Sequence, residues 1–313
     1  MSATPRETFN IIGHEAAELP FRDALAHGRM HHAWLLSGPA GIGKATLAFR
    51  LARILLNATD PQRAAGRRVT AGTHADLLVI ERKTDEKRGR LRGEIVADDV
   101  RPIQSFLRRT AAEGGWRVVI VDGAEFLNRH AANALLKLLE EPPPQTVLLL
   151  TTSSPGALLP TIRSRCRSLV LSPLSENDMR AVLAEQGYDA AEWPRLIAQA
   201  QGAPGRAEFL GRDRNGEMAR LAQAWLGGAA RDVTPSVADQ VARQEDGFAL
   251  LCDLLGKELS GRARALALQN KISLAAKAAA AFSELAALRR ETERFNLDKA
   301  QAVEQAAAIV SEL

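Results

Sequence analysis

HAWLLSGPAGIGKATLAFRLARILL, His32 to Leu56, decides how this chain folds. Its opening, Ala33 to Leu36, is apolar at consecutive positions, as a strand buried on both faces of a sheet must be. Its last half carries a helical pattern. Between the two, Gly38-Pro39-Ala40-Gly41-Ile42-Gly43-Lys44 has the spacing of a phosphate-binding loop, and strand, loop, helix is the setting such a loop requires. Glycines let backbone N–H groups close around a phosphate, the following helix N-terminus adds positive potential, and Lys44 supplies a point charge. Gly38, Gly41, Gly43 and Lys44 are therefore candidate nucleotide-binding residues; a chance glycine-rich turn is the plainer alternative.

Outward from this stretch, strands are expected at Ala33–Leu36, Asp76–Ile80, Arg117–Val121, Thr146–Leu150 and Ser168–Leu171, alternating with amphipathic helices. That alternation predicts a parallel sheet covered by helices, an α/β module over residues 1–171. Asp98 and Asp99 open the helix before Phe106, and Glu141-Pro142-Pro143-Pro144 ends the one beginning near Ala131. At Ser172-Pro173 the β-type residues stop. Ser175-x-x-Asp178 forms a capping box with Leu174 and Met179 as its hydrophobic staple, which starts a small helical domain over 172–211. GRDRNG, Gly211 to Gly216, has the composition of a linker. From Glu217 to the end, 217–313, every segment is helical, and the alanine-rich run Leu274 to Leu288 suits close helix packing.

Composition narrows the functional class. At 313 residues, 46% hydrophobic and 25% charged, the chain is long enough for about two or three domains and unlike a disordered sequence. A net charge of +4 permits nucleic-acid contact without demanding it. No apolar run approaches the ~18 residues of a spanning helix, and Met1 to Asn10 is polar, so a cytoplasmic location with no membrane partner is expected. Cys166 and Cys252 are far apart, which supports neither a disulfide framework nor a zinc site; both read as buried small side chains. Between Arg82 and Arg92 lie Arg82, Lys83, Lys87, Arg88, Arg90 and Arg92, either a solvated hairpin tip or a phosphate-contacting segment.

The second nucleotide element should be an apolar strand ending in Asp, and Val118 to Val121 followed by Asp122 fits, with Asp122 placed to hold Mg²⁺ through water. Asp122 as a strand-end cap is the simpler reading. Two positions depart from a hydrolysing site. The hydroxyl residue that ligates Mg²⁺ after the lysine is replaced by Ala45, and Thr46 lies about 100° further round the helix. The glutamate that polarises the attacking water is replaced by Gly123, and Glu125, two residues on, is expected to fall short.

Taken together, HAWLLSGPAGIGK (His32 to Lys44), NALLKLLEEPP (Asn133 to Pro143) and Ser164-Arg165-Cys166 resemble the clamp-loader branch of AAA+ proteins in order and spacing, over roughly Gly13 to Ala207. The resemblance implies an AAA+ module, a helical lid and a C-terminal helical collar. It implies that Arg165 is an arginine finger acting in trans on a neighbour's nucleotide, a salt-bridged surface arginine being the alternative. It places the first sensor at Ser153, beside Thr152, and puts Gly205 where the second sensor arginine belongs, with Arg206 one step late. Many relatives carry a cysteine zinc module, but no Cys precedes Arg165, so no zinc is predicted and Asn57–Gly72 must be an unmetallated connection.

With the magnesium hydroxyl, the general base and the second sensor defective, and Lys44 and Arg165 intact, the chain resembles the delta-prime type rather than the gamma/tau motors. That likeness implies a weak or vestigial ATP/ADP site formed by Gly38, Gly41, Gly43, Lys44, Thr46, Asp122 and Ser153. It implies gamma/tau motor and delta subunits, the sliding clamp and primer-template DNA as partners. An active motor would need Thr46 and Glu125 to compensate for Ala45 and Gly123; a stand-alone nucleotide-binding regulator would leave Ser164-Arg165-Cys166 unused.

Overall fold

The computed structural model describes residues 4–85, 90–113, 115–213, 216–244, 246–295 and 297–313. It divides into two compact units, Met1–Glu208 and Phe209–Leu313.

In the first unit, α1 (Glu15–Ala26), β1 (Ala33–Ser37), α2 (Lys44–Leu55), α3 (Ala64–Ala71) and β2 (Leu77–Ile80) come first. A short hairpin of β3 (Thr84–Asp85) and β4 (Arg90–Leu91) follows, then α4 (Ala97–Leu107), β5 (Arg117–Val121), α5 (Arg129–Glu140) and β6 (Thr146–Thr152). The run continues through α6 (Pro160–Arg163), β7 (Arg167–Val170), α7 (Glu176–Glu185), α8 (Trp193–Ala200) and α9 (Pro204–Gly211), whose last residues cross the unit boundary. β2-β5-β6-β1-β7 form one five-stranded sheet, parallel at every pairing. The five expected strands are these five, displaced by no more than two residues at any end.

The reason the strands read as continuous apolar runs is visible in the packing. Trp34, Leu36, Val118, Ile120, Val147 and Leu149 join Phe21, Leu47 and Leu51 in one buried cluster. Their strand neighbours Ala33, Leu35, Val119, Val121, Leu148 and Leu150 join Ile103, Leu135 and Leu139 in another. Successive strand side chains point to opposite faces, so burial on both faces requires apolar residues at every position. Helices α1 and α2 cover one face, α4 and α5 the other.

Local rules set the helix ends. Asn128 accepts the Ala131 N–H at 2.9 Å and starts α5, which stops at the three prolines. The Asp99 carboxylate accepts from Val96 N at 3.0 Å at the start of α4. Ser175 Oγ accepts from Asp178 N at 3.1 Å and donates to Asp178 Oδ2 at 2.7 Å, so the expected N-cap starts α7 without the reciprocal bond of a full capping box, and Leu174 and Met179 are both buried. The connection at Asn57–Gly72 contains a helix of its own, α3, a length too short for a periodic pattern to announce.

The second unit holds α10 (Glu217–Leu226), α11 (Pro235–Arg243), α12 (Gly247–Leu268), α13 (Ile272–Phe295) and α14 (Lys299–Ser311). Its core gathers Trp225, Leu251, Leu255, Leu259, Leu285 and Val303. Alanine serves two purposes here: Ala275, Ala278 and Ala281 of α13 are buried, whereas Ala276, Ala279 and Ala280 are exposed and contribute helix propensity alone. Within the polar stretch expected as a linker, Asp213 is buried and accepts from Met218 N and Ala219 N to start α10; Arg214 and Asn215 of that stretch lie outside the described residues. The architecture is a five-stranded parallel α/β module followed by the short helices α7, α8 and α9 and by an all-helical C-terminal region.

Candidate functional site

At the carboxyl edge of the sheet, where β1 lies between β6 and β7, the loop after β1 opens onto a cleft of about 750 Å³ within the first unit. Open parallel sheets present their sites at this edge. Gly41, Gly43, Lys44, Thr46, Asp122 and Ser153 all line the cleft. Gly38 stands at the loop's base, its N–H on Thr152 O at 3.3 Å. Ile11, Ile12, Leu174, Val182 and Pro204 supply an apolar wall.

The cleft's polar groups satisfy one another. Lys44 Nζ donates to Gly38 O at 2.9 Å, Pro39 O at 2.7 Å and Ser153 Oγ at 2.8 Å. Burial pushes the Lys44 amine below the ordinary lysine range, and the Glu125 and Asp122 carboxylates oppose that shift. Thr151 Oγ1 donates to Asp122 Oδ1 at 2.5 Å and accepts from Gly123 N at 2.9 Å. The parallel register places Val121 opposite Leu150, which brings Asp122 alongside Thr151.

Gly123 has a backbone reason to be glycine. Its φ is 78°, and a Cβ there would sit 2.6 Å from Phe126 Cδ2. A glutamate at this position meets both a left-handed backbone and an aromatic ring. Glu125 departs from expectation. The 3₁₀ turn Ala124–Phe126 swings it back into the cleft, where Oε1 accepts from Ser153 N at 2.9 Å. Residue separation along the chain underestimated its reach because a 3₁₀ turn folds the backbone back on itself.

Other contacts here had no signal in the motif pattern. His14, buried, donates from Nε2 to Ile42 O at 2.7 Å and packs beside Gly43. Arg53, buried on α2, donates to Thr8 O at 3.0 Å and to Arg6 O, and stacks on Phe9 at 4.0 Å, which fixes the N-terminal segment along the cleft. Burial pulls its guanidinium down to about 10. Arg50 adds a bond to Phe9 O at 3.2 Å. Gly205 N donates to Gly41 O at 2.8 Å, and a Cβ on Gly205 would lie 3.0 Å from Gly41 Cα, so a larger residue there requires the two backbones to move apart slightly.

A nucleotide suits the cleft's size, its apolar wall and its loop, with Lys44, Thr46 and Ser153 as the polar groups that would hold it and phosphate transfer as the chemistry it would supply. A magnesium ion suits it poorly: Ala45 offers no oxygen, and the Asp122 carboxylate is engaged by Thr151. Among the described residues no group of three His, Cys, Asp or Glu side chains gathers at metal-binding distance, and no helix is long and apolar enough to cross a membrane. Burial pushes both the Cys166 and Cys252 thiols up to about 12, which suits inert packing residues.

Arg165 lies outside this cleft. It follows α6 on the surface, its side chain 34% exposed, with Nη1 on Thr161 O at 2.9 Å and Nη2 on Glu140 Oε1 at 2.8 Å. In the basic segment, the Arg82 guanidinium sits 3.8 Å from the Phe126 ring centroid and Lys83 Nζ pairs with Asp99 at 2.8 Å; residues 86–89 lie outside the described residues.

Comparison with known proteins bears on the family and the fold. Residues 13–175 match the family model described as DNA polymerase III, delta subunit. The chain is 46% identical over 191 residues to DNA polymerase III subunit delta' of Pseudomonas aeruginosa, covering 57% of this chain and 55% of that one. It is 32% identical over 212 residues to subunit gamma/tau of Mycobacterium bovis, covering 64% of this chain and 36% of the relative. The matched region thus spans about half, or less, of these relatives' lengths. Among solved structures, a gamma-subunit-related protein of Thermotoga maritima superposes with a TM-score of 0.52 at 20% identity, covering 95% of this chain and 98% of that one, a likeness of fold alone.

Proposed function

The chain belongs to the DNA polymerase III delta-subunit family, in its delta-prime branch, and from that premise we propose that it is a non-hydrolysing subunit of a bacterial replicative clamp loader. In this role it acts in the cytoplasm, beside gamma/tau motor and delta subunits, during ATP-dependent loading of the sliding clamp on primer-template DNA. Arg165 reaches the triphosphate in the adjoining motor's site. A planar guanidinium that stays charged suits phosphate recognition across an interface.

The observation that carries this reading is the division of labour within the first unit. The intact arginine stands on the surface, away from a cleft whose metal-ligand and general-base positions are Ala45 and Gly123, the latter at a φ of 78°. The cleft keeps weak affinity for ATP or ADP through loop backbone donors and Lys44, and lacks the groups to turn it over. Steady-state ATP turnover by the isolated chain tests this: none above background is expected.

A second reading, an active gamma/tau-type motor, is favoured by the return of Glu125 to the cleft. It requires turnover by the isolated chain that disappears in Glu125→Gln. Co-purification with motor and delta subunits separates both readings from a stand-alone regulator.

A further inference from the structure

Glu140 occupies a position that helix physics disfavours. It is the last residue of α5, followed by Glu141 at the C-cap, and unpaired carbonyls at a helix C-terminus repel a carboxylate. Lys137 is the single basic residue in that last turn. The local rule is broken where Arg165 approaches: Nη2 lies 2.8 Å from Glu140 Oε1, while Nη1 takes the Thr161 carbonyl at 2.9 Å. A helix end carrying an acid is an electronegative seat for a guanidinium.

The pair is weak by construction. Its contact is a single one, and the two side chains are 34% and 50% exposed, so water and salt compete with it. It is strong enough to orient an arginine on a free surface and too weak to hold it against a triphosphate's several charges. We propose that Glu140 is a positioning residue that parks the Arg165 guanidinium until a nucleoside triphosphate bound by an adjoining subunit takes it over. This rests on the finger reading of Arg165 given above.

Parking competes with engagement, so removing the seat frees the finger. In a complex rebuilt from this chain with its motor and delta subunits, Glu140→Gln should raise kcat/KM for ATP about two- to fivefold with kcat unchanged, as loss of an exposed pair allows. The gain should shrink with rising salt, and Glu140→Asp, which keeps the carboxylate, should stay nearer the wild type. The same substitution in an Arg165→Ala background should change nothing, because the coupling has lost its partner. A Glu140→Gln complex identical to wild type, where Arg165→Ala still lowers turnover, overturns the parking role and leaves the finger standing. A Glu140→Gln effect that persists without Arg165 also overturns it. An Arg165→Ala complex with unchanged turnover removes the finger reading and the parking role together.

Discussion

Lys44 and Arg165 are both cations of the first unit, and their surroundings differ in kind. Lys44 is buried, and its three bonds end on the chain's own oxygens. Arg165 is partly exposed and held by one carbonyl and one exposed carboxylate. A buried polar group answered from within belongs to the architecture, because leaving it unpaired costs far more than the bond contributes. An exposed charge with a weak partner contributes little to stability and can be redirected. The difference teaches that the loop lysine is answered from within the chain, while Arg165 keeps contacts that a stronger partner can replace.

Substitutions in the cleft should therefore cost stability without revealing activity. Gly123→Glu places a side chain at a φ of 78° and against Phe126. It should lower unfolding free energy by about 2 kcal/mol or more, from backbone strain and the displaced ring. ATP turnover should remain at background; a gain would mean that the cleft lacks only a base. Lys44→Ala strips donors from Gly38 O, Pro39 O and Ser153 Oγ, and a loss of about 1–3 kcal/mol is expected in urea denaturation. Titration with a fluorescent nucleotide should show the weak wild-type affinity falling further in the same variant.

The smallest effect concerns pH. Burial, the largest cause, lowers the pKa of both His32 and His74 below the ordinary 6.5. Burial favours the neutral ring in each, so its contribution is complete above the unfolded value and is lost as pH falls through 6.5 towards the depressed folded value. The urea midpoint should drop between about pH 7.5 and pH 5.5. His74→Gln should flatten that dependence, and a midpoint independent of pH in the wild type would contradict the assignment.

Much of this was legible in the sequence, for reasons that can be named. The five sheet strands announced themselves because both faces are buried, which forces unbroken apolar runs. The loop and Asp122 were placed by strand–loop–helix and strand-end patterns and Ser153 by the resemblance, and the structure brings Gly41, Gly43, Lys44, Asp122 and Ser153 to one cleft. Glu125 was expected to fall short; that it lines the cleft depends on a 3₁₀ turn that leaves no periodic trace. Arg53 and His14 were silent for another reason: each donates its hydrogen bonds to backbone carbonyls, and no residue-type pattern encodes a carbonyl partner far along the chain. Gly205 was read from the resemblance as a glycine where a sensor arginine belongs, and its close approach to Gly41 is a contact that no motif encodes. The Arg165–Glu140 pair joins two motifs that were each visible, yet their contact is a tertiary fact.

The most direct test is the steady-state ATP turnover of the rebuilt complex carrying Arg165→Ala, alongside the wild-type complex and the isolated chain. Loss of an arginine finger costs about 10³-fold or more at the site it serves. The DNA-stimulated rate should therefore fall by that site's whole share, while the complex still assembles and the variant's stability stays within about 0.5 kcal/mol of wild type. Undiminished turnover in the variant complex, or brisk turnover by the isolated chain, would contradict the account.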